Sequence, residues 1–327
     1  MVNFSDRDEL LAFVAEKYYR EIHNQIAIAK MIGYSRSAVS RMLTEAREKG
    51  LVEVIIHHPF QYDHELEEKL KLAFNLKHAS VVVFHNQPDY DEVRKQLGKA
   101  ASRLLASLIK PGHKIGIAWG TSIQATIEAY EANPVRNTQV IQLVGVLGSS
   151  RHSYSAQTLV DQMAQNIDGE GIYLYAPFIV ENEQTAASLL EDPSVEQAIE
   201  KGKGCDIALM GIGTTKSNYC SLYKGNHISL QDLESFQAAG AVGDVCGLYF
   251  NIEGHLSQVD FHQRRIGVSW PDLQEIPIRL AVAGMTDKTE AILGAVRGRF
   301  ANSLVTDNLT AIQVLELAQK LENKTQP

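Results

Sequence analysis

The stretch IAIAKMIGYSRSAVSRMLTEAREKG, residues 26–50, decides the fold of the N-terminal part of this 327-residue chain. Ala29 lies four residues before Gly33, and Val39 and Met42 lie six and nine residues after it. This spacing is typical of a helix-turn-helix, in which a small residue lies where the two helices cross and apolar residues of the second helix pack on the first. Glycine suits the turn because a left-handed backbone costs it little. The sequence therefore predicts a helix-turn-helix.

The beginning of the second helix, SRSAVSR, is polar and basic. In a helix-turn-helix this part of the recognition helix reaches the base edges and phosphates of DNA, and arginine can bind guanine O6 and N7. The predicted DNA-contacting residues are Ser35, Arg36, Ser37, Ser40 and Arg41. The alternative is a plain bundle of short amphipathic helices. The polar start disfavours it, since these side chains offer little to a protein core.

Two flanking segments extend this module. Apolar residues recur at helical spacing from Leu10 to Ile22, which predicts a first helix. The segment LVEVIIH, residues 51–57, alternates apolar and other residues after a glycine and predicts a strand, hence a winged variant. Pro59 marks the boundary, so we expect a winged helix-turn-helix DNA-binding domain over residues 1–58 and an effector and oligomerisation domain over residues 59–327.

Composition and charge are those of an ordinary globular protein, with 45% hydrophobic and 21% charged residues. The net charge is −8, yet residues 22–52 carry five basic and two acidic side chains, as expected for a DNA-binding segment joined to a ligand domain. No apolar run reaches the length of about 18 residues that a membrane helix needs, and the N-terminus lacks a signal-peptide pattern. We expect a cytoplasmic protein with no membrane partner.

Cysteine and histidine spacing predicts neither a disulfide framework nor a metal site. Cys205, Cys220 and Cys246 form no CxxC pair, so we expect buried thiols. Several histidines cluster in sequence, but adjacent side chains on a strand point to opposite faces. Their positions are His57, His58, His64, His78 and His85. We therefore expect them on the surface or in linkers, and we expect no metal and no cofactor.

Downstream of Pro59, short apolar runs alternate with helical patterns. Residues 63–76 predict a connecting helix that could pair subunits. Seven runs predict strands, at residues 79–85, 113–119, 138–145, 171–177, 205–213, 278–284 and 302–307. Helices are predicted at residues 93–109, 122–132, 156–167, 195–201, 288–297 and 309–321. This alternation predicts an α/β fold with a mostly parallel sheet covered on both faces.

Four glycine-containing turns follow predicted strands: GIAWGTS from Gly116, GVLGSS from Gly145, MGIGTT from Met210 and AGMTDKTEA from Ala283. In such folds ligands bind at the carboxyl ends of the strands, where backbone N–H groups approach an anion. Lys288 in the first turn of a helix is unfavourable beside the helix dipole unless an anion is shared with it. Each turn alone also fits a plain strand–helix connection. Their joint occurrence indicates a ligand site.

Taken together, the helix-turn-helix, GIAWGTS, LMGIG, AAGAVGDVCGLYFN and AVAGMTDKTEAILGAVRG resemble, nearly from end to end, the SorC family of sugar-responsive bacterial regulators. The resemblance implies a winged helix-turn-helix joined to an effector domain with the glucosamine-phosphate deaminase or ribose-phosphate isomerase type of fold. It also implies operator DNA and a sugar or sugar phosphate as partners, and a homodimer or homotetramer.

The same resemblance implies the effector-binding residues. It places a phosphate loop at Gly120, Thr121 and Ser122, a carboxylate for sugar hydroxyls at Asp244, and a lysine at Lys288, with Gly213 in a bordering turn. Asp244 has an alternative role as a cap for the segment that follows it. Some members carry arginine or lysine where this chain has Val144, which favours a singly phosphorylated or uncharged sugar here.

The resemblance thus predicts a transcriptional regulator whose effector controls operator affinity for a carbohydrate operon, as a repressor would. The alternative is an isomerase- or deaminase-like enzyme fused to a DNA-binding module, with Asp244 as the proton-transferring carboxylate. No histidine falls in the glycine-rich segments to complete an acid–base set, and a fold does not by itself carry a function. We therefore expect no catalysis.

Overall fold

The computed structural model describes residues 6–52, 61–86, 88–148 and 155–325. Contacts divide the chain into two units, Met1–Pro59 and Phe60–Pro327. Each unit has a hydrophobic cluster of its own. The predicted wing strand lies outside the described residues from Glu53 onward and stays a prediction.

In its described residues, the first unit consists of three α-helices: α1 (Arg7–Ala15), α2 (Gln25–Ile32) and α3 (Arg36–Glu48). A π-helical turn over Glu16–Arg20 extends α1. The core residues of the predicted helix-turn-helix are buried, as expected; they include Ala29, Ile32, Val39, Met42 and Leu43.

The turn between α2 and α3 is also as predicted, because Gly33 has a φ of 76°. The predicted apolar face of the first helix was wrong at its end. Ile22 has a φ of 57° and is 87% exposed, because the chain leaves the helix after the wide π turn and takes a left-handed backbone conformation at this residue.

Helices and strands alternate along most of the second unit. In chain order they are α4 (His64–Phe74), β1 (His78–Val82), α5 (Tyr90–Leu108), β2 (Lys114–Ile117), α6 (Thr121–Glu128), β3 (Gln139–Gln142), α7 (Ala156–Ile167), β4 (Glu170–Ile172), α8 (Glu183–Leu190), α9 (Pro193–Lys203), β5 (Ile207–Gly211), β6 (Gly213–Thr214), α10 (Ser221–Lys224), α11 (Leu230–Ala238), β7 (Gly243–Val245), β8 (Leu248–Phe250), α12 (Phe261–Arg264), α13 (Trp270–Glu275), β9 (Ile278–Val282), α14 (Thr289–Arg297), β10 (Ser303–Asp307) and α15 (Asn308–Thr325). A 3-10 turn over Thr286–Lys288 precedes α14.

The main sheet has seven strands in the order β1-β10-β9-β5-β2-β3-β4, and every neighbouring pair is parallel. Each of the seven predicted apolar runs contains residues of one of these strands, so the prediction of a parallel α/β sheet is confirmed. The central strand β5 is almost wholly buried, as is usual where helices cover both faces. All seven strands end at the same edge, which is the edge expected to carry a ligand.

A second, antiparallel sheet of order β6-β7-β8 was not predicted. Its strands have two or three residues, too few to show an alternating pattern. β6 begins two residues after β5 ends, and Gly213 in β6 pairs with Asp244 in β7. This small sheet therefore brings Asp244 to the carboxyl edge of the main sheet.

Candidate functional site

An inner cavity of about 60 Å³ lies at the carboxyl edge of the main sheet. The segments that follow β2, β5 and β9 meet there with β7 and the start of α10. The cavity is lined by Ala118, Trp119, Gly120, Thr121, Ser122, Gly211, Ile212, Gly213, Cys220, Ser221, Leu222, Asp244, Cys246 and Lys288. All six residues predicted to contact an effector are in this set, although they are spread over about half of the chain.

The start of α6 forms one wall of the inner cavity. Gly120 immediately precedes the helix with a φ of 139°, a conformation that favours glycine, and no side chain caps the helix. By contrast, Asp89 caps α5 and Ser155 caps α7 through side-chain hydrogen bonds. The first N–H groups of a helix have no partner within the helix, and together with the helix dipole they favour an anion. The wall at Thr121 and Ser122 therefore suits a phosphate or another negative group.

Asp244 forms a second wall and is held in place by the backbone. Its Oδ2 accepts a hydrogen bond from the Gly247 N–H at 3.0 Å, which is the capping contact that its alternative role requires. A Cβ at Gly213 would lie 1.9 Å from Asp244 Oδ1, so only glycine leaves this carboxylate its position. Burial raises the pKa of Asp244 to about 6, against the opposing effects of the Gly247 N–H, Lys288 and Arg265. The side chain thus both caps a turn and lines the cavity.

Lys288 reaches the inner cavity from the end of the 3-10 turn before α14. It is the residue that precedes α14, one position earlier than predicted, and no side chain caps this helix. Its Nζ donates to the Ile212 carbonyl oxygen at 2.8 Å, and burial lowers its pKa. A lysine ammonium has three donors, so this one bond does not exhaust it. Two helix starts without side-chain caps, those of α6 and α14, therefore flank one lysine.

Arg265 is a buried cation that lines neither cavity but lies next to the inner one, and sequence reasoning missed it. Its Nε donates to the Cys246 carbonyl oxygen at 2.7 Å and its Nη2 to that of Val268 at 2.6 Å. Burial lowers its pKa to about 10. Arg265 lies outside the four glycine-containing turns, so their pattern gave no signal for it. Its charge lowers the pKa of Asp244 and so favours the ionised carboxylate.

An outer cavity of about 430 Å³ adjoins the inner one and shares Trp119, Thr121 and Ser221 with it. We call the two cavities together the cleft. The remaining lining residues are Tyr90, Gly145, Leu147, Ser155, Ala156, Asn218, Tyr219, Lys224, Gly225 and His227. Most were missed from sequence because they lie at the start of α5 and around α10, in segments without a glycine motif. His227 shows that the fold brings a histidine to the cleft although none lies in the glycine-rich turns.

Val144 is fully buried and lines neither cavity, so its placement gives no support to the argument that it removes a charge from the site. The three cysteines are free and buried, as predicted, and Cys220 and Cys246 contribute to the inner cavity. Burial raises the pKa of Cys246 to about 12, which keeps the thiol protonated.

Metal-ligand clusters and membrane-spanning helices are both absent from the described ranges. No three or more histidine, cysteine, aspartate or glutamate side chains there group in a way that could hold a metal ion. In the same ranges, no helix is long and apolar enough to cross a membrane.

The exposed start of α3 is the second candidate site. Ser35 caps the helix by accepting from the Ala38 N–H at 3.2 Å, and its Oγ lies 2.9 Å from that of Ser37. All five residues predicted to contact DNA are exposed. Arg36 and Arg41 form no ion pair within the described part of the chain.

Two acidic groups near α3, Glu45 and Asp8, are engaged by other bases. Arg7 holds Glu45 at 2.6 Å, and Lys49 holds Asp8 at 2.5 Å. This arrangement leaves the positive charge of the arginines at the start of α3 uncompensated by these carboxylates.

Comparison with known proteins places the chain in a family. Residues 58–316 match the family model described as "Putative sugar-binding domain". The deoxyribonucleoside regulator of Bacillus subtilis is 30% identical over 307 residues, which cover 94% of this chain and 97% of that protein.

Solved structures agree with this assignment. The full-length sorbitol operon regulator SorC from Klebsiella pneumoniae has a TM-score of 0.71 at 25% identity and covers 95% of this chain and 100% of its own. A transcriptional regulator from Streptococcus pneumoniae has a TM-score of 0.72 at 28% identity and covers 78% of this chain and 97% of its own. The chain belongs to the SorC family of sugar-binding transcriptional regulators.

Proposed function

We propose that this regulator binds operator DNA through the start of α3, and that a sugar or sugar phosphate bound in the cleft controls its operator affinity at a carbohydrate-utilisation operon. The observation that carries the proposal is the convergence of all six predicted effector residues on one cavity. The names of the relatives support it, since they include a sorbitol operon regulator and a deoxyribonucleoside regulator.

The chemistry of the inner cavity supports an effector that carries both an anionic group and hydroxyl groups. The start of α6 and the ammonium of Lys288 provide donors and positive charge for an anion. Asp244 provides a carboxylate that accepts hydrogen bonds from hydroxyl groups. A singly phosphorylated sugar carries both an anionic group and hydroxyl groups, and a neutral sugar carries only hydroxyl groups.

For the DNA-binding role, the support is the unpaired positive charge at the start of α3. The serine and arginine side chains there are exposed, and Arg36 and Arg41 form no ion pair in the described residues. They are therefore available to phosphates and guanine edges. We propose that the molecule acts as a homodimer or homotetramer, in which the effector shifts the population between arrangements of the DNA-reading units. The effector must then bind these arrangements with different affinity.

Two observations favour a second candidate function, catalysis on a sugar phosphate. Asp244 has a pKa of about 6, which suits proton transfer near neutral pH, and His227 lies in the adjoining outer cavity. Against it, the relatives are named regulators. Our proposal is therefore binding without turnover. Incubation of hexose and pentose phosphates with micromolar protein tests it, because steady turnover that is lost in Asp244→Asn would establish an enzyme.

The effector proposal is tested by a thermal-shift screen of sugars and sugar phosphates, followed by a mobility-shift assay with operator DNA. An effector at about 100 times its dissociation constant stabilises the folded protein by roughly 2.7 kcal/mol. We expect this stabilisation, and an effector-dependent change in operator affinity, in the natural protein but not in Lys288→Met.

Lys320→Met is the matched control, because this exposed lysine lies on α15 away from the cleft residues. It should respond like the natural protein. A screen without any stabilising compound, or an unchanged response in Lys288→Met, would contradict the proposed function.

A further inference from the structure

The two cavities of the cleft differ in size and in chemistry. One water-sized group needs roughly 10–15 Å³, so the inner cavity of about 60 Å³ holds about five such groups. That is enough for a phosphate or a few hydroxyl groups, but not for a whole sugar phosphate. The outer cavity, at about 430 Å³, is far larger. A ligand whose polar head fills the inner cavity must therefore extend into the outer one.

Three large aromatic side chains line the outer cavity. Tyr90, Trp119 and Tyr219 line it together with Leu147. Tyr90 is 41% exposed and Tyr219 is 38% exposed, and among the phenylalanine, tyrosine and tryptophan side chains of this unit in the described residues only Tyr175 is exposed as well. Exposed apolar surface collected in a concave site marks a place where a ligand packs.

These exposed rings are fixed in position although they are not buried. The Tyr90 hydroxyl lies 3.0 Å from Thr121 Oγ1, and the Tyr219 hydroxyl is hydrogen-bonded to Asp287. Trp119 packs edge-on against Phe178, with ring centroids 6.0 Å apart. Rings that are already oriented lose little conformational freedom when a ligand binds. The outer cavity is thus preorganised for a flat partner.

We propose that the effector contains two rings: a sugar ring whose anionic and hydroxyl groups occupy the inner cavity, and a second ring, glycosyl or aryl, that packs on Tyr90, Trp119 and Tyr219. This inference rests on the proposed function of the same cleft. A second ring has the flat face that aromatic side chains pack against. Lys224 and His227, on the same cavity wall, provide polar groups for its substituents. A phosphorylated disaccharide or aryl glycoside has this chemistry, and a simple sugar phosphate lacks the second ring.

Matched ligand series test this inference. Hexose 6-phosphates of gluco, galacto and manno configuration, and ribose and deoxyribose 5-phosphates, are each compared with their phenyl glycosides. The hexose phosphates are also compared with disaccharides that carry the same phosphorylated ring. Dissociation constants are measured by calorimetry on the full chain. For the configuration that binds best, the second ring should tighten binding by about tenfold, and the phenyl and disaccharide arms show which kind of ring is preferred.

Variants separate the second ring from the sugar head. Tyr219→Ala should remove most of this tenfold gain while leaving the affinity for the single-ring phosphate unchanged, and Tyr219→Phe, which keeps the ring, should retain it. Tyr175→Ala is the matched control, because Tyr175 is a 72% exposed tyrosine outside both cavities.

Three results would count against the inference. Single-ring phosphates that bind as tightly as their two-ring counterparts would overturn it and leave the proposed function intact. A gain that persists in Tyr219→Ala and Tyr90→Ala would overturn it as well. If no ligand of either kind binds, the proposed function fails together with it.

Discussion

The start of α3 and the inner cavity both depend on charged side chains, but they hold them in opposite ways. Arg36 and Arg41 are exposed, and their positive charge faces solvent. Arg265 is buried and Asp244 and Lys288 are half-buried, and burial shifts the pKa of each in the direction that favours the neutral form. The first set can meet a large polyanion without rearrangement. The second set combines one carboxylate with two cations, and its protonation is sensitive to any charged group that enters the cavity.

This difference in exposure predicts how DNA binding and effector binding should respond to salt and pH. Exposed charges act on phosphates through a field that salt screens within about 8–10 Å at physiological ionic strength. Buried charges are screened far less, and their protonation depends on the local environment. We therefore expect operator binding to depend steeply on salt, and effector binding to depend more on pH than on salt.

Replacing Arg41 with alanine should have the largest effect. A lost arginine contact to a guanine or phosphate lowers affinity by about 10- to 100-fold, so Arg41→Ala should weaken operator binding by this factor in a mobility-shift assay. Because the side chain is exposed and forms no ion pair in the described residues, the fold and the response to effector should be unchanged.

The control for this substitution is Arg136→Ala, which removes the same charge from an exposed position in the second unit. It should bind operator like the natural protein. Unchanged operator affinity in Arg41→Ala would overturn the assignment of α3 as the recognition helix. A weaker salt dependence with intact sequence preference would instead place Arg41 on a phosphate.

The contrast between the two sites also shows where sequence reasoning succeeds. The start of α3 could be predicted because its residues are contiguous and their spacing around Gly33 follows helix geometry. The seven parallel strands could be predicted because each one corresponds to a short apolar run in the sequence between glycines or helices. The exposure of Ile22 could not be predicted, since apolar spacing does not encode the backbone conformation that the chain takes after the π turn.

The cleft was predictable only in part. Glycine turns at strand ends indicated Gly120 and Gly213, and a resemblance indicated Asp244. Tyr90 and Tyr219 left no signal, because they reach the outer cavity from segments without a glycine motif that only the three-dimensional fold brings together. Arg265 left none either; it lines neither cavity but bonds to the carbonyl oxygen of Cys246, which lines the inner one. The two-residue and three-residue strands β6, β7 and β8, which position Asp244, are too short for any periodic pattern.

Asp244→Asn should have an intermediate effect, visible as a change in the pH dependence of stability. The pKa of Asp244 is raised from 3.8 to about 6 in the folded protein, so between these values the folded state binds more protons than the unfolded state. Its free energy of unfolding therefore decreases as the pH rises from about 4 to above 6. Asn cannot titrate, so the variant should gain up to about 2 kcal/mol relative to the natural protein across this window.

Denaturant titrations at pH 4.5, 5.5 and 7 provide the measurement. Glu316→Gln on α15 is the matched control, because it neutralises an exposed carboxylate outside the cleft. Its stability difference from the natural protein should stay nearly constant with pH. A constant difference for Asp244→Asn as well would show that Asp244 is not buried as the structure has it, and would weaken the contrast between the two sites.

Substitutions of Ser35 should have the smallest effect. They separate a structural role from a recognition role, because Ser35 caps α3 and is also a predicted DNA contact. Ser35→Ala loses the bond to the Ala38 N–H and should destabilise the helix by about 1 kcal/mol, measured as faster hydrogen exchange of α3 amides. Ser35→Asp keeps a capping oxygen and adds a charge that favours the helix dipole, so exchange should stay slow. The same negative charge would oppose DNA phosphates, so operator affinity should fall in Ser35→Asp more than in Ser35→Ala. If Ser35→Asp binds operator as tightly as the natural protein, the start of α3 does not face the phosphates.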